Sequence, residues 1–185
     1  MPYNPDIHHR KSIRLKGYDY SRAGLYFVTI CCHNRICRFG NIENGVMKLN
    51  EYGWIAHNEW IKTAEIRNNV ELDNFVIMPN HIHGIIRLLR RGELHSPDGI
   101  DVFDTPENRG VCDTPLRSPS QTIGAIVRGY KSSVTKQLVL LGFNGKLWQR
   151  NYHEHIIRDE KSYINISEYI TNNPSQWKDD NFFTK

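Results

Sequence analysis

Residues 76–86 read Val-Ile-Met-Pro-Asn-His-Ile-His-Gly-Ile-Ile. Two apolar, β-branched runs flank the turn-forming pair Pro79-Asn80, and this pattern predicts a hairpin of two strands. Side chains alternate between the two faces of a strand, so we expect His81 and His83 on one face and Ile82 on the other. Two imidazoles placed in this way can bind one metal ion, and they can equally be half-buried histidines that hydrogen-bond to their neighbours. The pattern is too short to decide between these two interpretations.

The segments before and after this hairpin predict a mixed α+β domain. Dense β-forming residues indicate strands, Asn44-Gly45 is a strong hairpin signal, and apolar stripes at helical spacing indicate the first two helices. Without its insertions the order is βαββαβ followed by one more helix, which predicts a ferredoxin-like fold with helices on one face of an antiparallel sheet. In chain order we expect a strand at 24–33, a hairpin at 39–49, a helix at 50–67, strands at 70–78 and 81–89, a helix from Ser120 or Thr122 to about Leu141, a strand at 147–158, and a helix from Asp159 to the residue before Pro174.

The chain divides into one folded domain and three polar segments. Residues 1–22 are interpreted as a basic arm, residues 23–177 as the domain, and residues 178–185 as a tail. Within the domain, residues 90–119 are rich in Pro, Gly, Asp and Ser and lose the periodic apolar pattern. This composition predicts a long mobile loop inserted in the domain, and not a second domain.

The composition is that of an ordinary soluble globular protein, with 39% hydrophobic and 24% charged residues. No apolar run approaches the roughly 18 residues that a membrane span needs. The N-terminus lacks the apolar core of a signal peptide, so we expect a cytoplasmic protein without a membrane partner. The cysteines fit neither a disulfide framework nor a C-x-x-C zinc spacing and are expected to be reduced. They are Cys31, Cys32, Cys37 and Cys112.

Basic residues are concentrated in two segments, although the net charge of the whole chain is only +4. Residues 1–22 carry a net charge of +3, and residues 120–158 carry a net charge of +5. Such segments suit a polyanion, most commonly nucleic acid, and a solvated basic surface explains them equally well.

The last predicted helix carries a tyrosine and an amide on one face. Tyr169 and Asn173 are four residues apart, so their side chains project in the same direction. A phenol is a poor nucleophile near neutral pH because its pKa is about 10. Beside a metal ion that polarises a phosphodiester, its oxygen can attack phosphorus and form a covalent ester with DNA. Asn173 could complete a His-His-Asn metal site. Tyr169 could equally pack on the sheet, and Asn173 could cap the helix before Pro174.

Three motifs together resemble those of the HUH single-tyrosine transposases, and within that family those of the insertion-sequence 200-like, REP-associated tyrosine transposase branch. The resemblance extends over residues 24–177 without the predicted loop, and the family fold is the ferredoxin-like domain predicted above. The motifs are Met78-Pro79-Asn80-His81-Ile82-His83-Gly84, Leu147-Trp148-Gln149-Arg150-Asn151-Tyr152-His153-Glu154-His155-Ile156-Ile157-Arg158 and Tyr169-Ile170-Thr171-Asn172-Asn173-Pro174.

The resemblance implies a metal-dependent strand transferase that cleaves single-stranded DNA, often at hairpin or repeat ends. By position, His81, His83 and Asn173 match the ligands of a Mg²⁺ or Mn²⁺ ion, and Tyr169 matches the nucleophile that forms a 5′-phosphotyrosine and frees a 3′-hydroxyl. Insertion-sequence members commonly have Gln at the position of Asn173. They also act as dimers, so a homodimer is possible here too. Four basic residues are expected to contact the DNA backbone without reading its sequence: Lys131, Lys136, Arg150 and Arg158.

Other residues and other classes of protein compete with this interpretation. Tyr163 is a rival nucleophile, but no amide lies four residues after it. His153 and His155 form a second His-x-His pair, for which sheet packing or phosphate contact is the better expectation. A non-catalytic ferredoxin-like nucleic-acid-binding module is one alternative, although the chain lacks the aromatic motif of RNA-recognition modules. An HUH replication initiator or relaxase is the other, and such proteins often carry further domains.

Overall fold

The computed structural model of the protein describes Asp19, residues 21–89 and residues 121–183. In these ranges, β4, β5, β1 and β6 form one sheet in that order with every neighbouring pair antiparallel, and β2 and β3 form a separate hairpin. This is the ferredoxin-like βαββαβ arrangement with α3 added after it, which confirms the predicted fold. The elements are β1 (Gly24–Cys31), β2 (Gly40–Glu43), β3 (Val46–Leu49), α1 (Glu51–Glu65), β4 (Val70–Ile77), β5 (His81–Leu88), α2 (Ile123–Leu140), β6 (His153–Ile157) and α3 (Glu160–Asn172).

Each of the α-helices α1, α2 and α3 begins after a side chain that the sequence marks as a cap. The side-chain oxygens of Asn50, Thr122 and Asp159 each accept a hydrogen bond from the backbone N–H three residues further on. Such a cap stabilises a helix by about 1 kcal/mol because it satisfies an N–H group that the first turn leaves open. The predicted helix starts are therefore confirmed, and Thr122 is the residue that caps α2.

The two faces of the sheet are covered unequally. Even-numbered residues of β1 and β5, such as Tyr26 and Ile82, belong to the main core with α1 and α2. Odd-numbered residues such as Ile85 face the other way, into a smaller apolar cluster that includes Ile170 of α3. The helix that carries the candidate nucleophile is thus the element that covers the second face.

The predicted strand at 147–158 is regular only over its second half. β6 begins at His153, and before it Trp148 makes an isolated bridge with Cys32. The indole N–H of Trp148 donates to the carbonyl of Lys131, and the ammonium group of Lys131 donates to two carbonyls of the same segment. These bonds tie the segment to α2, and the regular ladder with β1 starts only at His153.

Some predicted features lie outside the described residues. These are the predicted loop at 90–119, which includes Cys112, and most of the predicted arm at 1–22. Among the helices that are described, none has the length and apolar character needed to cross a membrane. The described cysteines are all free thiols, of which Cys31 and Cys32 are buried and Cys37 is exposed.

Gly84 lies where β5 passes under the main core, and a side chain at this position would collide with it. A Cβ atom there would lie 2.5 Å from the indole of Trp60 and 3.2 Å from the Cβ of Phe75. Trp60 is fully buried, so its ring cannot move without disturbing the core. We expect Gly84→Ala to lower the free energy of unfolding by about 1–3 kcal/mol, measured by urea denaturation.

Gly129→Ala is the matched control for this prediction. Among the described residues, its added methyl group would meet the guanidinium end of Arg67 alone, 3.1 Å away. In the interior of a helix, alanine is favoured over glycine by about 1 kcal/mol. The control is therefore expected to be as stable as the wild type or more stable. Equal unfolding midpoints for Gly84→Ala and the wild type would mean that the ring of Trp60 moves aside without any loss of stability.

Candidate active site

The histidine pair lies at the start of β5, a central strand of the sheet. Both side chains are buried, and their ring centroids are 4.4 Å apart. On β1, Cys31 is paired with His81 and Thr29 with His83. Ile82 between them belongs to the main core on the opposite face. The alternation expected from the sequence thus places two imidazoles side by side on the face that α3 covers.

The tautomer of His81 follows from its neighbour Asn80. The amide nitrogen of Asn80 donates to the carbonyls of Arg35 and Phe182, at 2.9 and 2.8 Å. Its oxygen is therefore an acceptor, and Nδ1 of His81, 2.9 Å away, carries the proton of that hydrogen bond. The other nitrogen, Nε2, is buried and has no hydrogen-bond partner within the described part of the chain. An imidazole fixed through Nδ1 with a bare Nε2 is the usual arrangement of a metal-binding histidine.

His83 is held by polar groups on both sides of its ring. Nδ1 lies 2.8 Å from Oγ1 of Thr29, and Nε2 lies 3.1 Å from the phenol oxygen of Tyr169. The ring also stacks on Phe27, with centroids 5.3 Å apart. The threonine hydroxyl can donate or accept, so it is compatible with either tautomer of the ring. His83 therefore joins β1, β5 and α3 at one point.

The end of α3 brings the predicted tyrosine and amide to the histidines. The phenol of Tyr169 donates to Oδ2 of Asp180 at 3.3 Å, in addition to its contact with His83. The amide nitrogen of Asn173 donates to the same carboxylate oxygen at 2.7 Å. The amide oxygen of Asn173 is buried and has no partner among the described residues. The four residues nominated from the sequence thus meet at one place, and their roles stay predictions.

Asp180 is a member of this cluster that the sequence does not reveal. It belongs to the segment interpreted as a tail, and it follows the short 3-10 turn Trp177–Asp179. One ligand atom each from His81, His83 and Asp180 lie within 4.8 Å of one another. The same segment covers the site, because the ring of Phe182 lies 4.6 Å from that of His81.

Burial sets the protonation of the site. It lowers the pKa of His81 to about 3, with a smaller contribution from the positive charge of Arg35. Burial also lowers the pKa of His83 well below its usual value. Both imidazoles are therefore neutral near pH 7 and offer lone pairs. Burial, followed by the negative charge of Asp180, raises the pKa of Tyr169 to about 12, so the phenol keeps its proton in this arrangement.

The four predicted DNA-contacting residues differ in exposure. Lys131 is half-buried, and its ammonium group donates to the carbonyls of Gln149 and Asn151 at 2.9 Å each. Burial lowers the pKa of Lys131 to about 8. Its first role is thus to hold the segment before β6 on α2. The other three side chains are exposed, namely Lys136, Arg150 and Arg158.

The structure also shows the positions of the rival nucleophile and of the second His-x-His pair. The phenol of Tyr163 donates to both carboxylate oxygens of Asp73 on β4, at 3.0 and 3.2 Å, and not to a histidine. His153 and His155 are exposed on β6, where His153 is paired with Thr29 of β1. Thr29 is in turn paired with His83, so His153 extends the same row across the sheet without joining the buried pair.

Fold and site together define a ferredoxin-like domain in which a tyrosine from the C-terminal helix meets a buried histidine pair. The solved structure of a REP-associated tyrosine transposase bound to a REP hairpin matches it with a TM-score of 0.57. The match covers 89% of this chain and 74% of that one at 21% sequence identity. At that identity the likeness establishes a shared fold, and it agrees with the family resemblance of the three motifs.

Another protein matches the chain with a higher sequence identity. A protein of Haemophilus influenzae, named only "Uncharacterized protein", is 45% identical over 183 residues, which is 98% of this chain and 97% of the relative. The chain belongs to one family with that protein. No family model matches the chain.

Proposed function

We propose that the protein is a metal-dependent strand transferase of the transposase type that cleaves and rejoins single-stranded DNA. One observation carries this proposal: the phenol oxygen of Tyr169 lies 3.1 Å from Nε2 of buried His83, beside the Nε2 of His81 that has no partner among the described residues. A candidate nucleophile and two candidate metal ligands therefore converge, although they come from elements that are far apart in the chain. A buried imidazole nitrogen without a partner is costly in a purely structural role, and a cation would supply the partner.

The donor atoms fit a divalent cation. An unpartnered polar group in the interior costs about 1–3 kcal/mol, and both His81 and Asn173 present such an atom. These two residues and His83 would hold the ion. Imidazole nitrogens with an amide oxygen suit Mn²⁺ better than Mg²⁺, which prefers oxygen ligands alone. When bound, the cation would polarise the scissile phosphate and stabilise the charge that develops on it.

The chain itself supplies the nucleophile and its alignment. In the cleavage step the phenol oxygen of Tyr169 forms a bond to phosphorus while the bond from phosphorus to the 3′-oxygen breaks. The phenol gives up its proton and the 3′-oxygen gains one, which leaves a 5′-phosphotyrosine and a free 3′-hydroxyl. Attack of a 3′-hydroxyl on this ester reverses the step and joins DNA ends. Ile170, buried next to the tyrosine, fixes α3 on the sheet and so fixes the direction of attack.

The proposed DNA substrate follows from charge and from the shared fold. The solved structure with this fold holds a REP hairpin, which supports single-stranded DNA with hairpin or repeat ends as the partner. Exposed Lys136, Arg150 and Arg158 would bind its phosphates. Such contacts predict an affinity that falls steeply as the salt concentration rises.

The proposal is tested with single-stranded hairpin DNA from the flanks of the gene, labelled at the 5′ end or at the 3′ end. We expect a covalent protein–DNA adduct on a denaturing gel with Mn²⁺ and none with EDTA. Because the tyrosine retains the 5′-phosphate, the adduct carries the 3′ label, and the 5′-labelled DNA is released as a shorter strand. Tight binding without an adduct, across hairpins of several repeat sequences, would instead identify a binding module.

A further inference from the structure

We infer that the carboxylate of Asp180 is a ligand of the cation, and that the cation and the phenol of Tyr169 compete for the same two atoms. The inference rests on the proposed function and concerns how its site is regulated. The two atoms are Oδ2 of Asp180 and Nε2 of His83. In the structure both form hydrogen bonds with the phenol, at 3.3 and 3.1 Å.

The spacing of the donors suits one ion. Ligands that surround a divalent cation at about 2.1 Å lie at most about 4.2 Å apart. Donor atoms of His81, His83 and Asp180 already lie within 4.8 Å of one another. Side-chain movements smaller than about 1 Å therefore close the site, and such movements need no change of the backbone. The bare Nε2 of His81 gives the group a donor that has no other partner among the described residues.

Charge gives Asp180 a role that the other donors cannot fill. His81, His83 and Asn173 are neutral, and the histidines are fully buried. A divalent cation bound only by neutral groups in a buried site would keep its whole charge uncompensated, which is costly. Asp180 is the anionic member of the cluster, and its carboxylate would offset part of that charge.

Asp180 is held in place as a metal ligand usually is. Its Oδ1 accepts a hydrogen bond from the backbone N–H of Phe182 at 2.6 Å, and its Oδ2 accepts one from Asn173 at 2.7 Å. The segment is anchored in turn, because Arg35 donates to the carbonyl of Asn181 at 2.9 Å. Outer contacts of this kind fix the direction of a ligand and keep it close to the ion.

Competition with the phenol follows from the lone pairs. The phenol donates its one proton to Asp180, so Nε2 of His83 carries the ring proton and donates to the phenol oxygen. A cation needs the lone pair of Nε2, so the ring proton would have to move to Nδ1, where the hydroxyl of Thr29 can accept it, and the hydrogen bond from Nε2 to Tyr169 would be lost. Loading of the site therefore releases Tyr169 from His83 and weakens its hold on Asp180. Without the cation the phenol is restrained, and with the cation bound it would be free.

The test measures binding of Mn²⁺ alone, without DNA, from the EPR signal that the free ion loses when it binds. For Asp180→Asn we expect a Kd at least about tenfold higher than that of the wild type. For Tyr169→Phe we expect a Kd about two- to tenfold lower, because no phenol competes for the two atoms. Asp179→Asn removes an exposed carboxylate next in the chain and is the matched control, with an unchanged Kd.

The outcomes separate this inference from the proposed function. If the wild type binds Mn²⁺ and Asp180→Asn binds it equally well, Asp180 is not a ligand and the inference fails alone. If Tyr169→Phe binds Mn²⁺ more weakly than the wild type, the phenol is itself a ligand and the competition is ruled out. This measurement tests the inference even if Asp180→Asn does not fold. If the wild type itself binds no Mn²⁺, the metal-dependent function fails together with the inference.

Discussion

Replacement of Tyr169 by phenylalanine is expected to abolish the covalent protein–DNA adduct, with cleavage reduced at least about a thousandfold. The variant lacks the oxygen that would form the bond to phosphorus, and the other tyrosine of α3, Tyr163, donates to Asp73 instead. The ring itself remains, so the edge-to-face contact with Phe27, with centroids 6.3 Å apart, is kept. The measurement compares adduct formation by Tyr169→Phe and the wild type on labelled hairpin DNA with Mn²⁺.

Tyr163→Phe is the matched control for that experiment. Tyr163 lies on the same helix, but its phenol donates to Asp73 on β4. Loss of this hydrogen bond is expected to cost about 1 kcal/mol of stability and to leave the adduct intact. If the adduct survives in Tyr169→Phe and disappears in Tyr163→Phe, the nucleophile is Tyr163 and the assignment from the geometry is wrong.

DNA binding separates a chemical role of Tyr169 from a structural one. Tyr169 is 38% exposed, so removal of its hydroxyl does not open the core. We expect Tyr169→Phe to bind the hairpin with the affinity of the wild type while forming no adduct. A parallel loss of both properties would mean that the phenol holds the end of α3 in place and does not act on the DNA.

The main part of this site could be predicted from local patterns. Alternation along β5 is enough to put His81 and His83 on one face, because the side-chain period of a strand is fixed. The fold follows from the order of strands and helices, and the helix starts follow from cap residues such as Asn50 and Asp159. These features depend on neighbours within a few residues, which the sequence displays directly.

Asp180 could not be predicted because its position depends on contacts between distant parts of the chain. The segment that carries it is fixed by Asn80 and Arg35, which bond to the carbonyls of Phe182 and Asn181. Partners about a hundred residues or more away leave no periodic signal. The orientation of the Asn173 amide is equally hidden, since its nitrogen turns toward Asp180 and its oxygen has no partner in the described part of the chain.

His81→Ala is expected to abolish cleavage while DNA binding is largely kept. The variant removes the bare Nε2, and with it one of the two imidazoles that would hold the cation. It also leaves a space beside the rings of Trp177 and Phe182, so some loss of stability accompanies the change. His153→Ala, which removes an exposed histidine on the same face of the sheet, is the control and is expected to retain cleavage.

The pH dependence of the folding stability gives a second test of the burial of His81. Burial lowers the pKa of His81 in the folded protein to about 3, whereas an unfolded chain has a pKa near 6.5. The unfolded state therefore binds a proton first as the pH falls, and His81 contributes a loss of stability between about pH 6.5 and pH 3. His81→Ala removes this contribution, so its stability should fall less steeply over that range than that of the wild type.

If cleavage and hairpin binding disappear together in a folded His81→Ala variant, the histidine maintains the DNA-binding shape of the site. Loss of cleavage alone, with binding intact, is the result that a metal ligand requires, because the ion acts on the scissile phosphate and the exposed basic residues hold the rest of the DNA.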